Sequence, residues 1–185
     1  MPYYRRWRQE GGKVFLTIVT YGRRKFLTSP DARAILRDAM TDTRQDRPWT
    51  TDGIVLLPDH LHVLWTLPPG DDDYSTRVAL IKKSFTETWL AGGRAEAAST
   101  AAQKRTRRRG LWQVRFWEHL IRDARDYAEH LEYIHRNPVH HGYVKYPREW
   151  EWSSFHRYLR AGCYEPDWQG RIDLRENLEY YWHDA

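Results

Sequence analysis

Apolar and polar positions along the chain fall into short runs with two distinct periods. Residues 14–20 are β-branched and aromatic and are bracketed by Gly11-Gly12 and Gly22, which predicts a strand buried on at least one face. Ser29-Pro30-Asp31 is a helix start, and Ala32, Ile35, Leu36 and Ala39 follow at helical spacing. That helix should run to about Thr43 and end before Pro48. Residues 53–57 form a second strand closed by Pro58-Asp59, and residues 60–67 a third closed by Pro68-Pro69-Gly70. So short a connection pairs them as an antiparallel hairpin.

Asp71-Asp72-Asp73 then opens a helix over 74–90, since acidic groups suit a helix N-terminus. Val78, Ile81, Phe85 and Trp89 form its apolar stripe, with Lys82 and Lys83 partly outside it. Residues 91–110 are first Ala/Gly-rich and then basic, a flexible insert. Residues 111–121 are aromatic and predict a fourth strand, and 123–137 a helix ended by Pro138, because the residue before proline is pushed out of the α region. Residues 140–185, with Trp150, Trp152, Phe155, Tyr158 and Trp168, read as a helical and loop extension against the core. Strand, helix, strand, strand, helix, strand is the order of a split β-α-β, ferredoxin-like α+β sandwich. Neither an internal repeat nor a second domain is visible, so residues 1–185 read as one domain.

Composition narrows the partner. The 185 residues carry 30 Lys and Arg against 25 Asp and Glu, a net charge of +5, with 10 Trp and 12 Tyr. The cations are clustered at Arg5-Arg6-Trp7-Arg8, Arg23-Arg24-Lys25 and Lys104-Arg105-Thr106-Arg107-Arg108-Arg109. Cations that neutralise phosphates beside rings that stack on bases suit single-stranded nucleic acid. The lone Cys163 excludes a disulfide framework and a thiolate metal cluster. No apolar run reaches the roughly 20 residues of a membrane span, and the polar, basic N-terminus lacks a signal-peptide core. The expectation is a cytoplasmic, nucleoid-associated protein with no membrane partner.

Two constellations can do chemistry. In His60-Leu61-His62 the two imidazoles project from one face of a strand and can share a divalent metal. Taken alone, the same pattern also fits one core and one surface histidine. In Glu132-Tyr133-Ile134-His135-Arg136-Asn137-Pro138, Tyr133 and Asn137 are one helical turn apart. A Tyr hydroxyl can act as nucleophile and an Asn oxygen can complete a coordination shell. The plain alternative is a packed ring and a carboxamide tying off a helix end. By spacing, His135 faces away from Tyr133, His119 suits a structural place at the end of an aromatic strand, and Trp112, Phe116 and Trp117 read as core.

These motifs resemble the REP-associated tyrosine transposases, a branch of the HUH single-strand DNA nucleases. The residues that carry the likeness are 56–65 (LLPDHLHVLW), 112–119 (WQVRFWEH), 133–139 (YIHRNPV) and the opening Tyr4-Arg5-Arg6 with Gly11-Gly12. It covers roughly residues 3–168, with the motifs in the family's order. The resemblance implies an antiparallel sheet flanked by helices, the HUH nuclease fold. It also implies that His60, His62 and Asn137 hold Mg²⁺ or Mn²⁺ and that Tyr133 is the nucleophile. The implied substrate is hairpin DNA of repetitive extragenic palindromes, nicked and rejoined through a 5′-phosphotyrosine. Arg5, Arg6 and Arg8 are candidate hairpin contacts, and Lys82, Lys83, Arg105, Arg107 and Arg108 candidate phosphate contacts. The insert over 91–110 is longer and more basic than the family's connection. Two other functions stay open at this point, a non-catalytic binder of structured nucleic acid and a nuclease that uses water. Monomer and homodimer are equally compatible with the sequence.

Overall fold

The computed structural model describes residues 8–97 and 110–170. Its elements are β1 (Lys13–Val19), α1 (Pro30–Asp46), β2 (Thr50–Leu56), β3 (His60–Thr66), α2 (Tyr74–Ala91), β4 (Trp117–Leu120), α3 (Ala124–His140) and α4 (Phe155–Arg160). The strands form an antiparallel sheet in the order β2-β3-β1-β4. The expected α+β sheet flanked by helices is therefore the fold observed.

Both faces of the sheet are covered, which is why β1 and β3 read as almost continuous apolar runs. Val14, Leu16 and Ile18 of β1 and Leu61, Val63 and Trp65 of β3 pack under α1 and α2. The alternate residues Phe15, Val55 and Leu64 meet Leu131 and Ile134 of α3 on the other face. Each long helix starts on a side-chain cap: Ser29 accepts from the Ala32 amide, Asp73 from Thr76 and Asp123 from Asp126. Arg77 of α2 is fully enclosed, paired with both oxygens of Asp71 and donating to the carbonyls of Arg47 and Pro48, so it ties α2 to the end of α1.

Gly53 sets how closely α3 approaches the sheet. A Cβ there would stand 2.8 Å from Leu131 Cδ1 and 3.0 Å from Ile134 Cδ1. It lies at a register shift in the β2–β3 pairing. The outer edge of β2 is not left open: the Leu56 amide donates to the Trp152 carbonyl at 2.9 Å, and Ser154 donates to the Ile54 carbonyl at 2.8 Å. An edge so occupied is closed to intermolecular pairing.

Three expectations are corrected. The aromatic segment 111–121 is a strand only over β4. Leu111 and Trp112 are buried in the α1–α2 core and touch β1's end through one isolated bridge, Thr20 to Trp112. Pro138 does not end α3, which carries it inside and closes on His141. A proline this near the C-terminus removes one donor, while the amides of His141 and Tyr143 still bond the carbonyls of Asn137 and Pro138. Helix α1 runs on to Asp46 because Thr43, buried, continues its inward stripe. Residues 98–109 of the basic insert, and 171–185, lie outside the described residues. Among the described residues, no helix is long and apolar enough to cross a membrane.

Candidate active site

His60 and His62 project from β3 toward α3, as the two-residue period requires, with ring centroids 4.8 Å apart in an edge-to-face arrangement. Both are buried. Each ring is held through Nδ1 by a residue for which the sequence offered no functional signal. Asp59 Oδ1 lies 2.7 Å from His60 Nδ1, and Thr17 Oγ1 lies 2.8 Å from His62 Nδ1. Burial alone would raise the Asp59 carboxyl, but the bond to His60 and the nearby Arg23 guanidinium outweigh it and hold it at about 2. An ionised carboxylate only accepts, so His60 donates from Nδ1 to Asp59. Burial, followed by the neighbouring His60 and His141, pushes His62 well below the ordinary imidazole value, so this ring is neutral.

Helix α3 brings the second constellation to the same place. The Tyr133 ring lies 5.2 Å from that of His62, and one turn beyond Asn137 the His141 ring lies 5.3 Å from His60. Asn137 stands between Tyr133 and His141 on one helix face and therefore faces the histidine pair. Its side chain is fully enclosed, yet neither Oδ1 nor Nδ2 has a hydrogen-bond partner among the described residues. A buried carboxamide is seldom left that way. Phe15 floors the group, 5.4 Å from His62 and 5.9 Å from Tyr133.

These residues fit a divalent cation. Two imidazoles with anchored Nδ1 atoms and an unsatisfied Asn oxygen are a nitrogen and oxygen donor set whose outer partners already orient the rings. Asp59, Thr17, Phe15 and His141 were missed at the sequence level. Thr17 becomes visible only from the β1–β3 register, where it stands opposite His62, and Asp59 was read as a turn residue.

The other candidates are placed less tellingly. Arg8 is exposed and pairs with Asp72 at 3.1 Å. Lys82 donates to the Gln113 carbonyl at 2.9 Å, and Lys83 lies 3.9 Å from Glu87. Both lysines belong to α2, across the sheet from the histidines. Arg5, Arg6, Arg105, Arg107 and Arg108 lie outside the described residues. His135 points away, its Nδ1 2.9 Å from Tyr164 Oη and its Nε2 2.8 Å from Ser154 Oγ.

No family model matches the chain. It is 44% identical over 176 residues to a Haemophilus influenzae protein named for the REP-associated tyrosine transposases, spanning 95% of this chain and 97% of that one. Against the REP-associated tyrosine transposase of Escherichia coli K12, identity is 40% over 172 residues and 93% of each chain. A solved structure of a REP-associated tyrosine transposase bound to a REP hairpin superposes with a TM-score of 0.77, at 40% identity and 93% coverage of both chains. At these identities, over nearly the full length of the relatives, the chain belongs to the REP-associated tyrosine transposase family.

Proposed function

We propose that this protein is a metal-dependent endonuclease and strand transferase that acts on single-stranded, hairpin-forming REP-like DNA through a covalent phosphotyrosine. One observation carries the reading: His60 and His62 of β3 converge on Tyr133 and on the enclosed, unpartnered Asn137 of α3. The hairpin-bound relative supports the substrate.

Tyr133 is the nucleophile. A free phenol titrates near 10, so it needs help at neutral pH. His60, His62 and Asn137 hold Mg²⁺ or Mn²⁺, and that cation stabilises charge on the scissile phosphate when bound. Tyr133 Oη bonds to phosphorus as the bond to the 3′ oxygen breaks. The phenol proton goes to solvent, the 3′ oxygen takes up a proton, and the products are a 5′-phosphotyrosine and a free 3′-OH. The phosphodiester energy is kept, so a 3′-OH can reverse the step or join another strand without ATP. Asp59 and Thr17 keep the imidazoles oriented throughout. Arg5, Arg6 and Arg8 hold the hairpin, and Lys82, Lys83, Arg105, Arg107 and Arg108 add phosphate contacts. The protein works in the cytoplasm, at the chromosome.

The test is labelled hairpin DNA with a single-stranded flank, incubated with Mn²⁺ and resolved under denaturing conditions. Wild type should give a protein–DNA band that Tyr133→Phe lacks, while the variant still binds DNA. Cleavage without such a band would assign the attack to water. Efficient cleavage by Tyr133→Phe would remove Tyr133 from the mechanism.

A further inference from the structure

Between β1 and α1 the chain makes one turn of 3-10 helix, Tyr21–Arg23. Three backbone bonds clamp the segment around it against the Pro58-Asp59 turn that precedes His60. The Thr20 amide donates to the Asp59 carbonyl at 2.8 Å, and the amides of Phe26 and Leu27 donate to the Pro58 carbonyl at 2.8 and 2.9 Å. Within this segment Gly22 has a φ of 62° and Arg23 a φ of 50°, and no other non-glycine among the described residues has a positive φ. A left-handed backbone is unfavourable for a side chain as large as arginine and persists only where its surroundings impose it.

That backbone sends the Arg23 guanidinium to Asp59, with Nη1 3.1 Å from Oδ2, while Oδ1 of the same carboxylate takes His60 Nδ1 at 2.7 Å. Arg23 thus stands one carboxylate away from a histidine of the candidate site. Burial is the larger cause of the low His62 and His141 values, and the Arg23 charge adds to both, so the guanidinium is within electrostatic reach of the site. An arginine carries five N–H donors, and Asp59 is the one hydrogen-bond partner of this side chain among the described residues. The Arg23 side chain is 47% exposed against 9% for Asp59, so it is fixed at one edge and open to solvent at the other. Its neighbour Arg24 is spent differently, lying over the Phe26 ring at 5.6 Å.

We infer that Arg23 grips a phosphate of the single strand beside the bond that Tyr133 attacks, with Asp59 holding the guanidinium in place while its remaining N–H groups donate to the DNA. The inference rests on the single-strand nuclease reading above and adds a substrate-positioning residue to it. A planar guanidinium matches two phosphate oxygens at once, and one already held by a carboxylate gives up less freedom on binding. The same carboxylate orients His60, so the grip on the strand and the orientation of that imidazole share one anchor. An Arg23 of purely structural role would serve Asp59 and nothing else.

The test uses hairpin DNA with a single-stranded flank in which one neutral methylphosphonate replaces each flank phosphate in turn. Affinity is read by fluorescence anisotropy in Mn²⁺ for full-length Tyr133→Phe, with and without Arg23→Gln. On unmodified DNA, Arg23→Gln should weaken binding roughly tenfold and lower the log–log salt slope by about 0.7, the share of one single-strand phosphate. At one flank position the methylphosphonate should cost about as much with Arg23 in place and nothing in Arg23→Gln. Arg23→Lys, which keeps the charge, should keep the slope and lose part of the affinity. A variant that merely packs worse weakens binding to every DNA alike and shows no coupling to a single phosphate. Equal methylphosphonate costs in both proteins at every position, or an unchanged salt slope, overturns the contact. The covalent band of wild type reports separately on Tyr133: a missing band with the coupling intact overturns the phosphotyrosine reading and keeps Arg23, and a band without the coupling does the reverse.

Discussion

Asn137 places a carboxamide where the fold alone would not put one. It is enclosed without a partner for either polar atom, and burying an unpaired amide costs about 1–3 kcal/mol. Replacing it with an apolar side chain of similar size should therefore separate stability from function. Asn137→Leu should raise the thermal midpoint of the metal-free protein by several degrees and abolish DNA cleavage, read by calorimetry and the hairpin assay. A variant that melted lower would mean that the amide is satisfied by solvent. At this scale the sequence was legible wherever the chemistry is local. His60 and His62 share a face because strands alternate, and Tyr133 and Asn137 share one because helices repeat every turn. Thr17 and Asp59 were not legible in the same way. Thr17 acts across the β1–β3 pairing at a sequence distance of 45 residues, and a turn Asp gives no sign of which imidazole it holds.

Helix α3 is the element on which the site depends, and its seat is defined by a missing side chain. Gly53 lets Leu131 and Ile134 approach β2 closely. Gly53→Val should cost about 1–3 kcal/mol by overpacking and should lower cleavage more than binding of the hairpin, because it lifts Tyr133 away from His62. Denaturant unfolding and single-turnover cleavage test the two halves. The same helix carries a pH dependence. Burial, and then the charges of Arg157 and His156, hold His135 down to about 3. Its unfolded value is near 6.5, so the unfolded chain binds the extra proton. Stability is thus full above pH 6.5 and falls as pH drops toward 3. His135→Gln should flatten that fall by about 1.4 kcal/mol per pH unit between pH 6 and 4. Urea titrations across that range measure it, and an unchanged slope would mean that His135 titrates freely in the fold. Burial gives His62 and His130 the same sign, so part of the slope should remain. Most elements were legible from periodicity and caps. The ends of α3 and β4 were not, because packing against neighbours decided them: the helix carried through Pro138, and Leu111 and Trp112 went into the core.

Across the whole molecule, the sheet supplies the imidazoles and a much later helix supplies the phenol. The ferredoxin-like order was readable because each strand and helix announces itself locally. Covering of the β2 edge by residues 152–154 was not, since those residues show no strand period and are recruited by two backbone bonds. The separation matters during synthesis. About 70 residues lie between His62 and Tyr133, and at roughly 5–20 residues per second a ribosome needs several seconds to make them. Throughout that interval the nascent chain has its histidines and lacks the tyrosine proposed as nucleophile, and the edge that will receive residues 152–154 waits longer still. Under the proposed function, a polypeptide that stalls or is clipped before α3 is a fragment unable to cut DNA. On that reading the capacity to cut arrives only after more than two-thirds of the 185 residues have been made.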